Sequence, residues 1–410
     1  MGNPRCRACD AELSETFVDL GMSPMSNAFL TADQTRTMEP FYPLHVYVCG
    51  KCFLMQLEQF ETPERIFGDY AYFSSYSDTW LAHARAYVGQ VVERFRLAAN
   101  TCVVELASND GYLLQYFQQR GFSVLGIEPA KNVAKAAIAK GIPTETVFFG
   151  TRTARDLAAR GHQADLLIGN NVLAHVPDLN DFVAGMKIIL KPGGILTMEF
   201  PHVVRLMEFN QFDTIYHEHF SYFSFLAVEQ VFVRHGLTLF DVEELPTHGG
   251  SLRIYGCHAG ADRPVEARVA RMKSFEAERG MDCLDTYRGF DEKVKRAKRD
   301  ILRFFIDAKH RGKTIVGYGA AAKGNTLLNY CGIRTDFLDF VVDRSPEKQG
   351  KFLPGTHIPV YAPEKVAERR PDYVFILPWN IRDEIVRMMG HIRQWGGQFV
   401  VPIPEVEVIS

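Results

Sequence analysis

The chain has 410 residues, more than one hydrophobic core usually organises, and at about 150 residues per domain it predicts two or three domains. Hydrophobic residues make up 47% and charged residues 23%, a globular composition, and a formal net charge of -3 leaves no electrostatic footprint for nucleic acid or an anionic membrane. No run approaches the roughly 18 apolar residues of a membrane-spanning helix, and the first residues lack the apolar stretch of a secretory signal, so a cytoplasmic protein is expected.

In chain order, the first pattern is a pair of knuckles, Cys6-x-x-Cys9 and Cys49-x-x-Cys52, whereas Cys102, Cys257, Cys283 and Cys331 scatter singly. Paired knuckles let four thiolates reach one tetrahedral Zn²⁺, and with all four positions taken by sulfur the ion is structural. It is expected to hold together residues 1 to about 60, a segment too small to be stable on its own core. A tyrosine-rich run, DYAYFSSYS over residues 69–77, follows, and then a helical pattern from Thr79 to Leu97.

Thr101 to Leu106 reads as a buried parallel strand, running through Ala107-Ser108-Asn109-Asp110-Gly111 into a helix. Ala107 and Asn109 stand where a GxGxxG loop has glycines, which weakens a dinucleotide reading. The next strand, Ser123 to Glu128, ends in an acid about 20 residues after the loop, where a carboxylate can accept both hydroxyls of a ribose. Strands at Ala164–Asn171 and Gly193–Phe200 complete the unit. This succession resembles the Rossmann-like methyltransferases that bind S-adenosylmethionine. The resemblance implies Glu105 near the methionine amine, Glu128 on the ribose, Lys191-Pro192-Gly193-Gly194 ahead of the fifth strand, and S-adenosylhomocysteine as product. Ser108, Asn109, Gly111, Pro129, Asn170 and Asn171 are the further cofactor contacts it implies.

The run Tyr216-His217-Glu218-His219-Phe220-Ser221-Tyr222-Phe223 crowds imidazoles, a carboxylate and phenols directly after this sheet, a composition suited to proton transfer. Read as a strand, it turns His217 away from His219 and leaves His217 a structural role. In Thr247-His248-Gly249-Gly250-Ser251-Leu252-Arg253, the glycines permit a tight turn while His248, Ser251 and Arg253 offer donors for a sugar hydroxyl or phosphate. Asp262 to Lys309 reads as a solvated helical connector. Lys313 to Asn325, with the loop Gly317-Tyr318-Gly319-Ala320-Ala321-Ala322-Lys323-Gly324, is a second strand, glycine-rich turn and helix that could cradle a pyrophosphate with help from Lys323. Strands at Leu338–Asp343, Tyr373–Leu377 and Gln398–Val401 follow. Trp379 and Asn380 fall at a strand end, where such folds bind ligands. The fold class is therefore α/β: two Rossmann-like doubly wound units behind a small zinc-binding module, divided as residues 1–75, 76–260 and 261–410.

Taken together, the knuckles, DYAYFSSYS, ELASNDGYLL, NNVLAHVPD, YHEHFSYFS, THGGSLRIY, GYGAAAKGNTLL and ILPWN are similar to the zinc-containing C-methyltransferases of deoxysugar biosynthesis over essentially the whole chain. The resemblance implies a thymidine diphosphate-linked 4-keto deoxysugar in the cleft against the C-terminal domain. By motif position it makes His219 the base that removes the proton beside the ketone. Glu218 and Tyr216 then orient it or contact the sugar, and His175 lies near the developing enolate. Tyr70, chosen over Tyr72 and Tyr76, is the facing phenol, while Tyr76, His248, Ser251, Arg253, Lys323, Asn325, Trp379 and Asn380 are expected to contact the substrate. Methylation at C-3′ is favoured over C-5′, with or without a 3-amino group, in a monomer or small homo-oligomer. A pyridine-nucleotide oxidoreductase using the second glycine-rich loop, with Asp343 on the ribose, is the competing reading.

Overall fold

The computed structural model describes residues 4–68 and 73–410, built on three sheets. The first is antiparallel, in the order Glu15–Ser23, Tyr42–Val48, Met55–Leu57, Ser221–Tyr222. Leu44, Val46 and Val48 alternate inward along its second strand, as one buried face requires. Its last strand comes from the histidine-rich run, where Tyr222 and Ser221 pair with Met55 and Gln56. The N-terminal module is a wedge between two cores rather than a bead. Phe17, Val18, Leu20 and Val46 pack with the C-terminal unit, whereas Cys6, Leu13, Cys49 and Leu54 join the core of the middle unit.

The second sheet has the order Leu237–Leu245, Ser251–His258, Leu190–Pro201, Ala164–Asn170, Cys102–Leu106, Ser123–Ile127, Thr144–Glu145, with Ser251–His258 antiparallel to both neighbours. Cys102–Leu106 is parallel to the strands on either side and buried along Val103–Leu106, which explains its continuous apolar run. The loops after Cys102–Leu106 and Ala164–Asn170 diverge from this switch point and open a crevice at the strands' C-terminal ends. The helix Asp78–Phe95 covers one face, its N-terminus capped by the Ser77 side chain accepting from the Trp80 N–H.

The third sheet runs Val360–Tyr361, Val341–Val342, Ile315–Tyr318, Tyr373–Ile376, Gln398–Val401, Glu407–Ile409, parallel except at the last strand. Its own switch point lies between Ile315–Tyr318 and Tyr373–Ile376. There Gly319 has φ +90°, and a Cβ on it would lie 2.4 Å from Cδ of Pro378, so only glycine lets the two loops meet.

The connector departs from the solvated helices expected of residues 262–309. Phe290–His310 buries Phe290, Val294, Ile301, Phe305 and Ala308 along one side. Glu276, wholly buried on Ala267–Glu278, accepts from His202 Nε2 (2.7 Å) and from the N–H groups of Phe225 and Leu226. Among the described residues no helix is long and apolar enough to cross a membrane.

Candidate active site

A cavity of about 540 Å³ lies where the three units meet. The middle unit supplies Ala107, Asn109, Tyr112, Glu128, Asn170, Asn171, His175, Tyr216, His219 and His248. The C-terminal unit supplies Ala321, Ala322, Lys323, Lys348 and Asn380, and the N-terminal module adds Asn27 and Phe67.

At one end the wall suits S-adenosylmethionine. Glu128 receives the Asn109 N–H at 2.9 Å on one oxygen and the Ala130 N–H at 2.8 Å on the other, leaving lone pairs for a ribose diol. Burial pushes its carboxyl up to about 7, and those two N–H groups oppose the shift. Ile127, Pro129, Val147, Phe148 and Phe149 make an apolar slot for a purine. Among the described residues, buried Asn170 Oδ1 has no partner, an acceptor suited to an ammonium group. Glu105 lies buried behind this wall, where desolvation and the Glu128 charge hold its carboxyl well above the usual range. Ser108 and Gly111 shape the loop instead of lining it. Ser108 Oγ fills the place of a side chain on Gly126, and Gly111 takes φ +75° against Ile142. Ala107 and Asn109 both adopt positive φ, so the loop keeps left-handed turns where glycines were missing. The Asn109 side chain also accepts the Ser74 N–H at 2.9 Å, tying the tyrosine-rich strap to the loop.

At the centre, Tyr216 to His219 is a turn, not a strand, closed by the His219 N–H on the Tyr216 carbonyl. His219 Nδ1 donates to the Thr214 carbonyl at 2.8 Å, which leaves Nε2 as the bare, proton-accepting nitrogen. Burial, then neighbouring His175, His248 and Lys323, keep its pKa well below the ordinary value. The His175 ring meets it edge-on at 4.7 Å and the Tyr216 ring stands 4.0 Å away; burial also lowers His175, to about 4. His217 points instead to the Pro43 carbonyl. Glu218 does not orient His219: both its oxygens accept from Asn27 Nδ2, at 2.8 and 3.0 Å, and burial pushes its carboxyl up to about 7. Tyr70 and Tyr72 lie outside the described residues.

Five expected substrate contacts do not line the cavity, each for a visible reason. Arg253 is buried against Glu199 (2.6 Å), and Ser251 Oγ donates to the Thr247 carbonyl (2.9 Å). Asn325 donates to the Ser26 carbonyl, and Trp379 Nε1 donates to Asp213 Oδ2 at 2.7 Å. Tyr76 is 56% exposed. His248 does face the cavity in a left-handed conformation (φ 54°), accepting on Nε2 from Asn171 Nδ2 at 3.0 Å. Lys323 and Asn380 also line it, bonded to one another at 2.7 Å. Asn27 and Lys348 were not anticipated. Asn27 belongs to a loop with no motif, and Lys348 carries no local signal; both reach the cavity through tertiary packing.

The four knuckle sulfurs lie within 4.8 Å of one another, with pairs at 3.5 and 3.6 Å, close to the edge of about 3.8 Å of a tetrahedron with Zn–S near 2.3 Å. Asp10 and Phe53, each following the second cysteine of its knuckle, both take positive φ, and their N–H groups bond back to the carbonyls of Cys6 and Cys49. Gln56 Nε2 and the Lys51 N–H point at Cys6 and Cys49 sulfur. This donor set fits a closed structural zinc site.

The fold and site define an S-adenosylmethionine-dependent methyltransferase with a structural zinc module. Family models match in three consecutive pieces: a zinc binding domain over residues 6–67, a methyltransferase domain over 80–242, and a C-methyltransferase C-terminal domain over 246–404. The C-methyltransferase NovU of Streptomyces niveus is 38% identical over 405 residues, covering 99% of this chain and 96% of that protein. The chain belongs to this family of zinc-binding C-methyltransferases. The ubiquinone biosynthesis O-methyltransferase of Bartonella tribocorum shares only 98 residues at 28% identity, 24% of this chain and 40% of its own length. Among solved structures, magnesium protoporphyrin IX methyltransferase of Synechocystis PCC 6803 with bound SAM aligns with 48% of this chain and 89% of its own, at 16% identity and a TM-score of 0.34.

Proposed function

We propose that the acceptor is a thymidine diphosphate-linked 4-keto deoxysugar, with or without a 3-amino group, methylated at C-3′ beside the ketone, and that His219 is the base. The observation that carries this reading is the state of His219: a neutral imidazole in the cavity wall, its Nδ1–H committed to the Thr214 carbonyl and its Nε2 free to take a proton. A sugar ring C–H is too weak an acid to lose its proton unaided. A neighbouring ketone lets the resulting charge move to oxygen, so the site needs a base at carbon and donors at oxygen. Lys323 and the Tyr216 phenol stand in the same cavity to serve that oxygen, with Tyr70 assigned the facing phenol from the family motif. The nucleotide is assigned to the C-terminal switch point, where Ala321, Ala322, Lys323, Lys348 and Asn380 offer a cationic wall.

When bound, S-adenosylmethionine supplies an electrophilic methyl on a sulfonium. Glu128, Asn170 and the apolar slot would hold it against the acceptor, so catalysis rests on proximity and a positioned base. We place the reaction in the cytoplasm, where the four thiols stay reduced. The test is mass spectrometry of the enzyme in D₂O with the cofactor and a panel of such sugars. Gain of one methyl by a 4-keto sugar supports the acceptor. Methylation of none, with no enzyme-dependent ring-proton exchange, removes it.

A further inference from the structure

The helix Ala322–Cys331 presents Lys323, Thr326 and Tyr330 at spacings of three and four, hence on one face. That face does more than border the cavity. Thr326 Oγ1 donates to the Ile215 carbonyl at 2.9 Å, and the Tyr330 ring meets Phe212 edge-on at 5.5 Å. Lys323 Nζ lies over the Trp379 ring at 4.5 Å, and the Trp379 indole N–H donates to Asp213 Oδ2 at 2.7 Å. Three of these contacts fall on Phe212–Ile215, the short turn whose Thr214 carbonyl holds His219 Nδ1, and Lys323 reaches it through Trp379. From the middle unit, Gln211 Nε2 adds a bond to the Gly249 carbonyl at 2.8 Å, beside His248.

We infer that Asp213 and Trp379 are positioning residues: through the Phe212–Thr214 turn, the C-terminal unit sets the tautomer and aim of His219. The inference rests on the reading of His219 as the base. The clamp runs from the buried pair of Asp213 and Trp379 to the cavity wall, where Lys323, stacked on Trp379, faces the cavity. Within the turn the Asp213 carboxylate also receives the N–H groups of Asp213 and Thr214, so losing the indole N–H takes away its side-chain donor from the C-terminal unit and leaves those two groups and the Lys323 charge to hold it. Burial raises the Asp213 carboxyl to about 6, and the Lys323 charge and the indole bond work against that rise. The unit expected to carry the nucleotide thereby also orients the base, and a sugar anchored there meets an imidazole already aimed.

The experiment compares the full-length zinc-loaded enzyme with Trp379→Phe, which keeps the ring and removes the N–H. It measures enzyme-dependent exchange of the sugar ring proton in D₂O, methyl-transfer kcat and KM, cofactor binding, and the imidazole ¹⁵N shifts of His219. The expected result is a fall in exchange and in kcat of about 100-fold, the scale of a displaced catalytic group, with cofactor affinity within twofold and a shifted His219 ¹⁵N pattern. Wild-type ¹⁵N shifts together with wild-type exchange would overturn the clamp. A shifted ¹⁵N pattern with exchange intact would uphold the clamp and remove His219 as the base, so the two claims fail separately. Should Trp379→Phe not fold, Thr326→Val, which deletes the bond to Ile215 with little change in volume, is held to the same outcomes.

Discussion

Replacing Glu199 by Gln is expected to expose a buried electrostatic knot that shapes the site without entering it. Glu199 lies near the end of the strand Leu190–Pro201 with no exposed surface, and accepts from Arg253 (2.6 Å), His83 (3.0 Å) and the Thr247 hydroxyl (2.9 Å). Burial alone would raise its carboxyl. The bond from His83, the Arg253 charge and Thr247 outweigh burial and hold it at about 2, against 4.5 for a free carboxyl. At 1.36 kcal/mol per unit, that difference is worth about 3 kcal/mol of stability. Because the folded value is the lower one, this stability is fully present above pH 4.5 and is lost as the pH falls through 2. Glu199→Gln forfeits it and leaves the Arg253 guanidinium buried without a counter-charge, so we expect a loss of about 3–5 kcal/mol at pH 7 in urea unfolding followed by circular dichroism. It also frees the Thr247–Gly249 turn that presents His248, so kcat should fall. Glu199→Leu combined with Arg253→Met removes both charges and should recover most of the stability, though not the turn. A single variant as stable as the wild type, or a double variant whose loss equals the sum of two single losses, would refute the coupling.

Removing zinc from the knuckles with a strong chelator should release one ion per chain, read with a metal-sensitive dye. It should also destabilise both neighbouring cores, because the module is wedged between them; release of no metal would contradict the assignment. The acid limb of the pH–rate profile should lie below 6.5. Burial depresses His219 and holds His175 and His248 near 4, so stability and a neutral base are present above 6.5 and are lost as the pH falls through the folded values; a limb at or above 6.5 would disagree. Gly319→Ala meets both a positive φ and a Pro378 contact of 2.4 Å, and is expected to raise KM for the sugar at least tenfold while cofactor KM is unchanged, as initial rates would show.

What the chain reveals before folding is what local patterns encode. Two CxxC knuckles, apolar strands flowing into small-residue turns, and the acid ending Ser123–Glu128 are each complete within a few residues. The histidine-rich run was legible in composition but not in conformation. Its turn is set by a carbonyl five residues back and by pairing with Met55 and Gln56, neither of which its periodicity encodes. Sequence adjacency pairs Glu218 with His219, yet its partner Asn27 lies 191 residues away. Arg253 resembled a phosphate ligand for the same reason, because its counter-charge, Glu199, belongs to another strand. In Phe290–His310 the stripe of Val294, Ile301, Phe305 and Ala308 was present but outnumbered by lysines and arginines, so the charges hid a core helix.

The most direct test of the account is ring-proton exchange by His219→Asn. The enzyme and variant are incubated in D₂O with a thymidine diphosphate-linked 4-keto deoxysugar and S-adenosylhomocysteine, and deuterium in the sugar is followed by mass spectrometry. With His219 as the base, the wild type exchanges the proton beside the ketone, while His219→Asn keeps its fold and cofactor affinity but exchanges at least 100-fold more slowly. Exchange at the wild-type rate in that variant would contradict the account.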